Sequence, residues 1–150
     1  MKRELQFLTG YINKEIIESK LWSVKDAFLS DDCFDDVTNE SGIYIMMAKR
    51  QRFVYPKKES PVFYIGTSNH LRKRLRTHLR LYKQAKNDFK THYSWHYSRY
   101  NYAAAFGTDI YYMRITGRES EKVLESKALE GFYDKYGALP VGNGAFSFRK

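Results

Sequence analysis

Apolar residues recur at spacings of three and four over residues 4–29, where Leu5, Leu8, Ile12 and Ile16 fall on one stripe. That pattern predicts a helix, with Gly10 as its weak point. Ser30 to Ser41 (SDDCFDDVTNES) is acidic and rich in turn formers, so it reads as a connector. Its aspartates lack the glycine and closing glutamate of an EF-hand loop. The period then changes. GIYIMMA over 42–48 and VFYIGT over 62–67 are short, β-rich apolar runs that predict buried strands. Between them Pro56 and Pro61 bracket a basic turn, PKKES, which predicts an antiparallel hairpin with a long tip. Asn69 suits the N-cap of a helix running to about Lys83. DIYYMRIT over 109–116 predicts a third strand, and residues 119–136 a second amphipathic helix stopped by Gly137 and Pro140. The expected fold is α+β: a three-stranded, mainly antiparallel sheet flanked by helices. Residues 1–40 form an N-terminal helical extension and acidic connector, and residues 41–150 the main domain.

Composition narrows the class. A chain of 150 residues with 43% hydrophobic and 29% charged residues has enough apolar material for one core and is not a disordered composition. The single cysteine, Cys33, excludes a disulfide framework and a four-cysteine zinc site. The longest apolar runs fall far short of the ~20 residues that span a bilayer, and the first residues carry no apolar signal region. A reduced, cytoplasmic protein without a membrane partner is the expectation.

Charge is distributed unevenly. Residues 1–40 carry 5 Lys/Arg against 9 Asp/Glu, and residues 41–150 carry 21 against 8. The basic excess peaks between Asn69 and Tyr100, with 9 Lys/Arg and one acid, Asp88. A field of one sign attracts polyanions, nucleic acid first. On the predicted helix, Leu71, Leu75, Leu79 and Tyr82 form the apolar stripe at ~100° per residue. Arg72, Lys73, Arg76 and Arg80 lie on other faces and suit phosphate contacts that position a duplex rather than read it. Arg74 and His78 stand four apart at the edge of the stripe, on the side that faces the sheet. An arginine there is costly without an anionic partner.

Gly42-Ile43-Tyr44 and Tyr64-Ile65-Gly66 each set a tyrosine near a glycine in a buried strand, where glycine marks a close backbone approach. With the following helix, Asn69-His70-Leu71-Arg72-Lys73-Arg74-Leu75-Arg76-Thr77-His78, these triplets resemble the GIY-YIG nuclease family. Both name-giving triplets are intact, Arg74 stands ten residues after Tyr64, and the resemblance covers residues 41–146. The 20-residue gap between the tyrosines is longer than the family commonly has; the extra hairpin-tip residues could touch DNA.

The resemblance implies a divalent-metal-dependent DNA endonuclease that uses Mg²⁺ or Mn²⁺ and leaves 5′-phosphate and 3′-hydroxyl ends. Arg74 would contact the scissile phosphate, Tyr44 or His78 would handle the attacking water, Tyr64 would order the site and Asn143 would brace it. The metal ligand would be an acid on the second helix. Glu125 lies within the apolar register, its neighbours at three, four and seven being Ala128, Leu129 and Phe132; Glu130 lies on the opposite side and is the alternative. His92 and His96 have ligand spacing but no evident third partner for zinc, and the aromatics of residues 91–106 suit either packing or base stacking. Competing readings are a non-catalytic nucleic-acid-binding module, a nuclease for RNA or for branched or single-stranded DNA, and an interaction protein acting through residues 1–40. A dimer is compatible with duplex cleavage, and no dimer surface is evident.

Overall fold

The computed structural model describes residues 2–13, 20–91 and 97–143. The architecture is α+β. A four-stranded antiparallel sheet has the order β1-β6-β2-β5, built from β1 (Trp22–Val24), β2 (Gly42–Ala48), β5 (Val62–Ser68) and β6 (Thr108–Arg114). A separate two-stranded ribbon pairs β3 (Phe53–Val54) with β4 (Glu59–Ser60). Among the described residues the α-helices are, in chain order, α1 (Leu71–Thr91), α2 (Ser98–Phe106) and α3 (Glu121–Tyr136). Among the described residues no helix is long and apolar enough to cross a membrane.

The unbroken apolar run of β2 has a direct cause. The strand is central and helices or loops cover both faces, so all seven of its residues are buried. The sheet divides two cores. Ile43, Ile45 and Met47 point to the core shared with α3, through Leu124, Ala128, Leu129 and Phe132. Tyr44, Met46 and Ala48 point to the core shared with α1 and α2, through Leu71, Leu75, Leu79 and Tyr100.

The N-terminal segment departs from its sequence pattern. In place of a helix over 4–29, a 3-10 helix spans Arg3–Leu8, Gly10 turns the chain at φ +88°, and β1 adds a fourth strand by pairing with β6. Leu5, Leu8 and Ile12 are buried as their spacing implied, but as knobs against α3 rather than on one long helix. Gly131 permits this approach: a Cβ there would sit 2.9 Å from the Tyr11 ring. Further on, Phe28, Phe34 and Val37 complete the α1-side core. Ile16 lies outside the described residues.

The connector also starts α1, which begins at Leu71 and not next to Asn69. Its first free N–H groups are met by residues 38–40: Leu71 N–H donates to the Glu40 carbonyl, Arg72 N–H to the Thr38 carbonyl and Lys73 N–H to Asn39 Oδ1. Three orphan donors are thereby satisfied by three consecutive residues. Asn69 instead accepts from the Ser41 hydroxyl.

The hairpin tip keeps Val54 and residues 56–59 exposed while one side of it rests on the C-terminus of α3. Lys57 N–H donates to the Tyr136 carbonyl and its Nζ to the Asp134 carbonyl, a cation on carbonyls that the helix leaves free. Tyr55 is buried and donates to the Val62 carbonyl. The second departure is α2, which occupies part of the expected connection; its Ala103-Ala104-Ala105 run favours a helix. In α3 the apolar register holds: Ala128, Leu129 and Phe132 are buried.

Candidate active site

The two tyrosines meet because of strand register. Tyr44 on β2 lies directly opposite Gly66 on β5, and Met46 opposite Tyr64. Tyr44 lays its ring over Gly66, where an added Cβ would come within 2.5 Å of Cζ. Glycine at this position is therefore required by the tyrosine, which answers why a buried strand tolerates it. Gly42 plays the same part for α1, since a Cβ there would meet Leu71 Cδ2 at 2.7 Å. The rings of Tyr44 and Tyr64 come to 6.1 Å, with that of His78 5.4 Å from the first and 5.7 Å from the second.

His78 is entirely buried and both its nitrogens are engaged: Nε2 lies 2.5 Å from the Tyr44 hydroxyl and Nδ1 2.9 Å from the Tyr100 hydroxyl. Burial pushes its pKa well below the usual value, and the Arg74 and Arg99 charges push it further. The ring is neutral. The Arg74 cation lies close enough to the Tyr44 hydroxyl to be felt by it. A neutral imidazole donates from one nitrogen and accepts at the other, so the Tyr44 and Tyr100 hydroxyls play opposite parts toward the ring. Burial raises the Tyr44 pKa well above the phenol value, with Tyr64 adding to the rise and Arg74 opposing it.

Arg74 is half-buried between this tyrosine cluster and α3. Burial opposes its charge, the Tyr44 and Tyr64 hydroxyls outweigh burial, and it stays a cation. Glu125 reaches the same place from α3, where its carboxylate feels the Arg74 charge and the Thr67 backbone at the end of β5. Burial raises its pKa, against the pull of Arg74 and Thr67. Glu130 is exposed, near Tyr11 and Asp134, on the far side of α3. Asn143 clamps the edge strand between the two site residues of β5: Oδ1 accepts from Ile65 N–H at 3.0 Å and Nδ2 donates to the Ile65 carbonyl at 2.9 Å.

Tyr44, Tyr64, Arg74, His78 and Glu125 thus share one neighbourhood, and Asn143 supports its backbone. Arg72, Lys73, Arg76 and Arg80 do not join them. They line a separate groove of about 510 Å³ with Asn39 and Thr77 on the connector side of α1. Arg76 is paired there with Asp35 at 2.7 Å, both partners about half exposed. Two site residues escaped the sequence pattern, Tyr100 and Arg99. Both belong to α2, whose place against His78 and Tyr64 is set only by tertiary packing. His92 and His96 lie outside the described residues. Compared with models of protein families, with curated proteins and with solved structures, the chain gives no match.

Proposed function

We propose that this chain is a divalent-metal-dependent endonuclease of the GIY-YIG type, hydrolysing DNA to 5′-phosphate and 3′-hydroxyl ends. One observation carries the reading. Two tyrosines, a neutral histidine, a half-buried arginine and a half-buried glutamate converge from β2, β5, α1 and α3 on one neighbourhood. No feature of the fold's stability needs that set: a buried histidine and arginine each cost desolvation that an apolar pair would avoid.

The residues fit a hard cation held lightly. Among the described residues no group of three or more His, Cys, Asp or Glu is placed to hold a metal, so Glu125 would hold one with few protein ligands. Magnesium-type ions suit such a site, keeping most waters and taking remaining oxygens from substrate phosphate. Mg²⁺ or Mn²⁺ bound there would stabilise charge on the phosphate and on the leaving 3′-oxygen.

This chain's own groups would do the rest. Arg74 donates to the scissile phosphate and stabilises the charge it gains. Tyr44 cannot be a standing phenolate, since burial holds its proton on. The attacking water instead gives its proton to the Tyr44 oxygen as the Tyr44 proton passes to Nε2 of His78, which is neutral and 2.5 Å away. Tyr100 orients the imidazole through Nδ1. Arg72, Lys73, Arg76 and Arg80 would hold duplex phosphates away from the reacting atoms. Cutting both strands would take a dimer or two successive nicks. A reducing cytoplasm suits Cys33, the lone thiol, whose pKa burial raises.

The test is cleavage of supercoiled plasmid with Mg²⁺ by wild type, Arg74→Ala, Glu125→Gln and Glu130→Gln. The first two variants should lose ~100-fold or more in rate, the loss typical of one transition-state donor. Glu130→Gln should cut like wild type. Products bearing 3′-phosphate, or wild type that binds DNA yet cuts no plasmid, single-stranded or branched DNA, would refute the proposal.

A further inference from the structure

We infer that Arg99 on α2 is a second phosphate-binding arginine of this site, in addition to Arg74. The inference rests on the nuclease reading for its ligand, a phosphodiester of bound nucleic acid.

The guanidinium of Arg99 is enclosed by aromatic rings, with Cζ 4.8 Å from the Tyr64 ring centroid, 4.5 Å from Tyr97 and 5.2 Å from Tyr100. Cation–π contact of this kind engages the ring electrons and uses none of the guanidinium N–H donors. Its Nε is buried and has no hydrogen-bond partner among the described residues. Among those residues no carboxylate lies within ion-pair distance of Arg99, whereas Arg76, Lys83 and Arg114 each have one. A guanidinium taken partly out of water and left unpaired is costly; an arriving anion recovers that cost.

The placement is built in rather than incidental. Gly142 lets the start of α2 close on the C-terminal loop, since a Cβ there would be 3.1 Å from Arg99 Cβ. The same loop carries Asn143, which grips Ile65 between Tyr64 and Gly66. The Ser98 hydroxyl ties α2 to the Val141 carbonyl at 3.4 Å. One loop thus fixes both the strand of Tyr64 and the helix of Arg99. The charge of Arg99 is felt by Tyr44 and by His78, as that of Arg74 is. Two guanidinium groups then face one tyrosine–histidine cluster from α1 and α2. That geometry would hold two successive phosphates, or two oxygens of one. Lysine would not replace arginine here, because a point charge neither stacks nor forks.

The test uses the full chain and a 20-base-pair duplex with EDTA present, measuring affinity against salt concentration, beside plasmid cleavage with Mg²⁺. Arg99→Ala should weaken binding about 10–100-fold and lower the salt slope by ~0.9, one phosphate contact. Arg99→Lys should keep the slope and cut at least ~10-fold more slowly, which also serves if Arg99→Ala does not fold. Variants that melt at lower temperature but keep the wild-type slope, affinity and cleavage rate would make Arg99 a packing residue and overturn the inference while the nuclease stands. Wild type that binds with an Arg99-dependent slope but never cuts would leave this anion site standing and remove the nuclease. Wild type that neither binds nor cuts would remove both.

Discussion

His78 makes a pH dependence that can be worked out from its surroundings. The ring is fully buried, both nitrogens are engaged by hydroxyls, and two arginines lie close. Protonating it would bury a cation beside two others, so its folded pKa lies well below the ordinary ~6.5. The unfolded chain therefore binds a proton that the folded chain refuses. Stability is unaffected above the unfolded pKa and falls as pH drops below it, toward the folded value, at up to ~1.4 kcal/mol per pH unit. By about pH 5.5 the loss integrates to ~1.4 kcal/mol, which for a chain of this size lowers Tm by roughly 3–6 °C. Glu125 acts in the opposite sense. Its folded pKa is raised above the usual carboxyl value, so stability is gained as pH falls through that window. The two are separated by His78→Gln, whose amide can still accept from Tyr44 and donate to Tyr100 but cannot titrate. Urea midpoints of wild type and His78→Gln from about pH 8 to 5 should give a difference that is constant above neutrality. Below about pH 6.5 it should bend against wild type. A difference that stays flat to pH 5 would mean that His78 protonates as easily in the fold as in water, and the argument that burial and the two arginines keep it neutral would fall.

Two further outcomes test how the site is supported. Asn143→Ala leaves the Ile65 N–H and carbonyl without their side-chain partners, so it should cost roughly 2–4 kcal/mol; a thermal melt within 1–2 °C of wild type would show that solvent satisfies the edge strand instead. Removal of residues 1–40 strips Leu5, Phe7, Leu8, Ile12, Phe28, Phe34 and Val37 from the two cores, a loss of roughly 10–20 kcal/mol against a typical total of 5–15. The truncated chain should show no cooperative unfolding in circular dichroism, and a sharp melt would make that segment an accessory.

Local pattern determined much of this protein. The runs GIYIMMA and VFYIGT read as buried strands, Leu71, Leu75 and Leu79 as one helical stripe, and the fold has both. With the stripe placed, the side of Arg74 and His78 followed from 100° per residue, and the same arithmetic separated Glu125 from Glu130. These are properties of periods, and a period is written in sequence order. What the tertiary structure alone decided involves partners far apart in the chain. The spacing of Leu5, Leu8 and Ile12 fits a helix, yet burial against α3 is satisfied by a 3-10 turn and a bend at Gly10, because packing overrides weak helical preference. The fourth strand exists because β6 offered an edge to Trp22–Val24. The hairpin tip rests against α3 because free carbonyls at the end of that helix attract Lys57. The site itself was half legible. Tyr44 and Gly66 could be read as a pair of unusual strand residues, but only antiparallel register put one over the other. Tyr100 and Arg99 carry no periodic signal, and their roles come from the docking of α2, a contact made across more than 20 residues of chain.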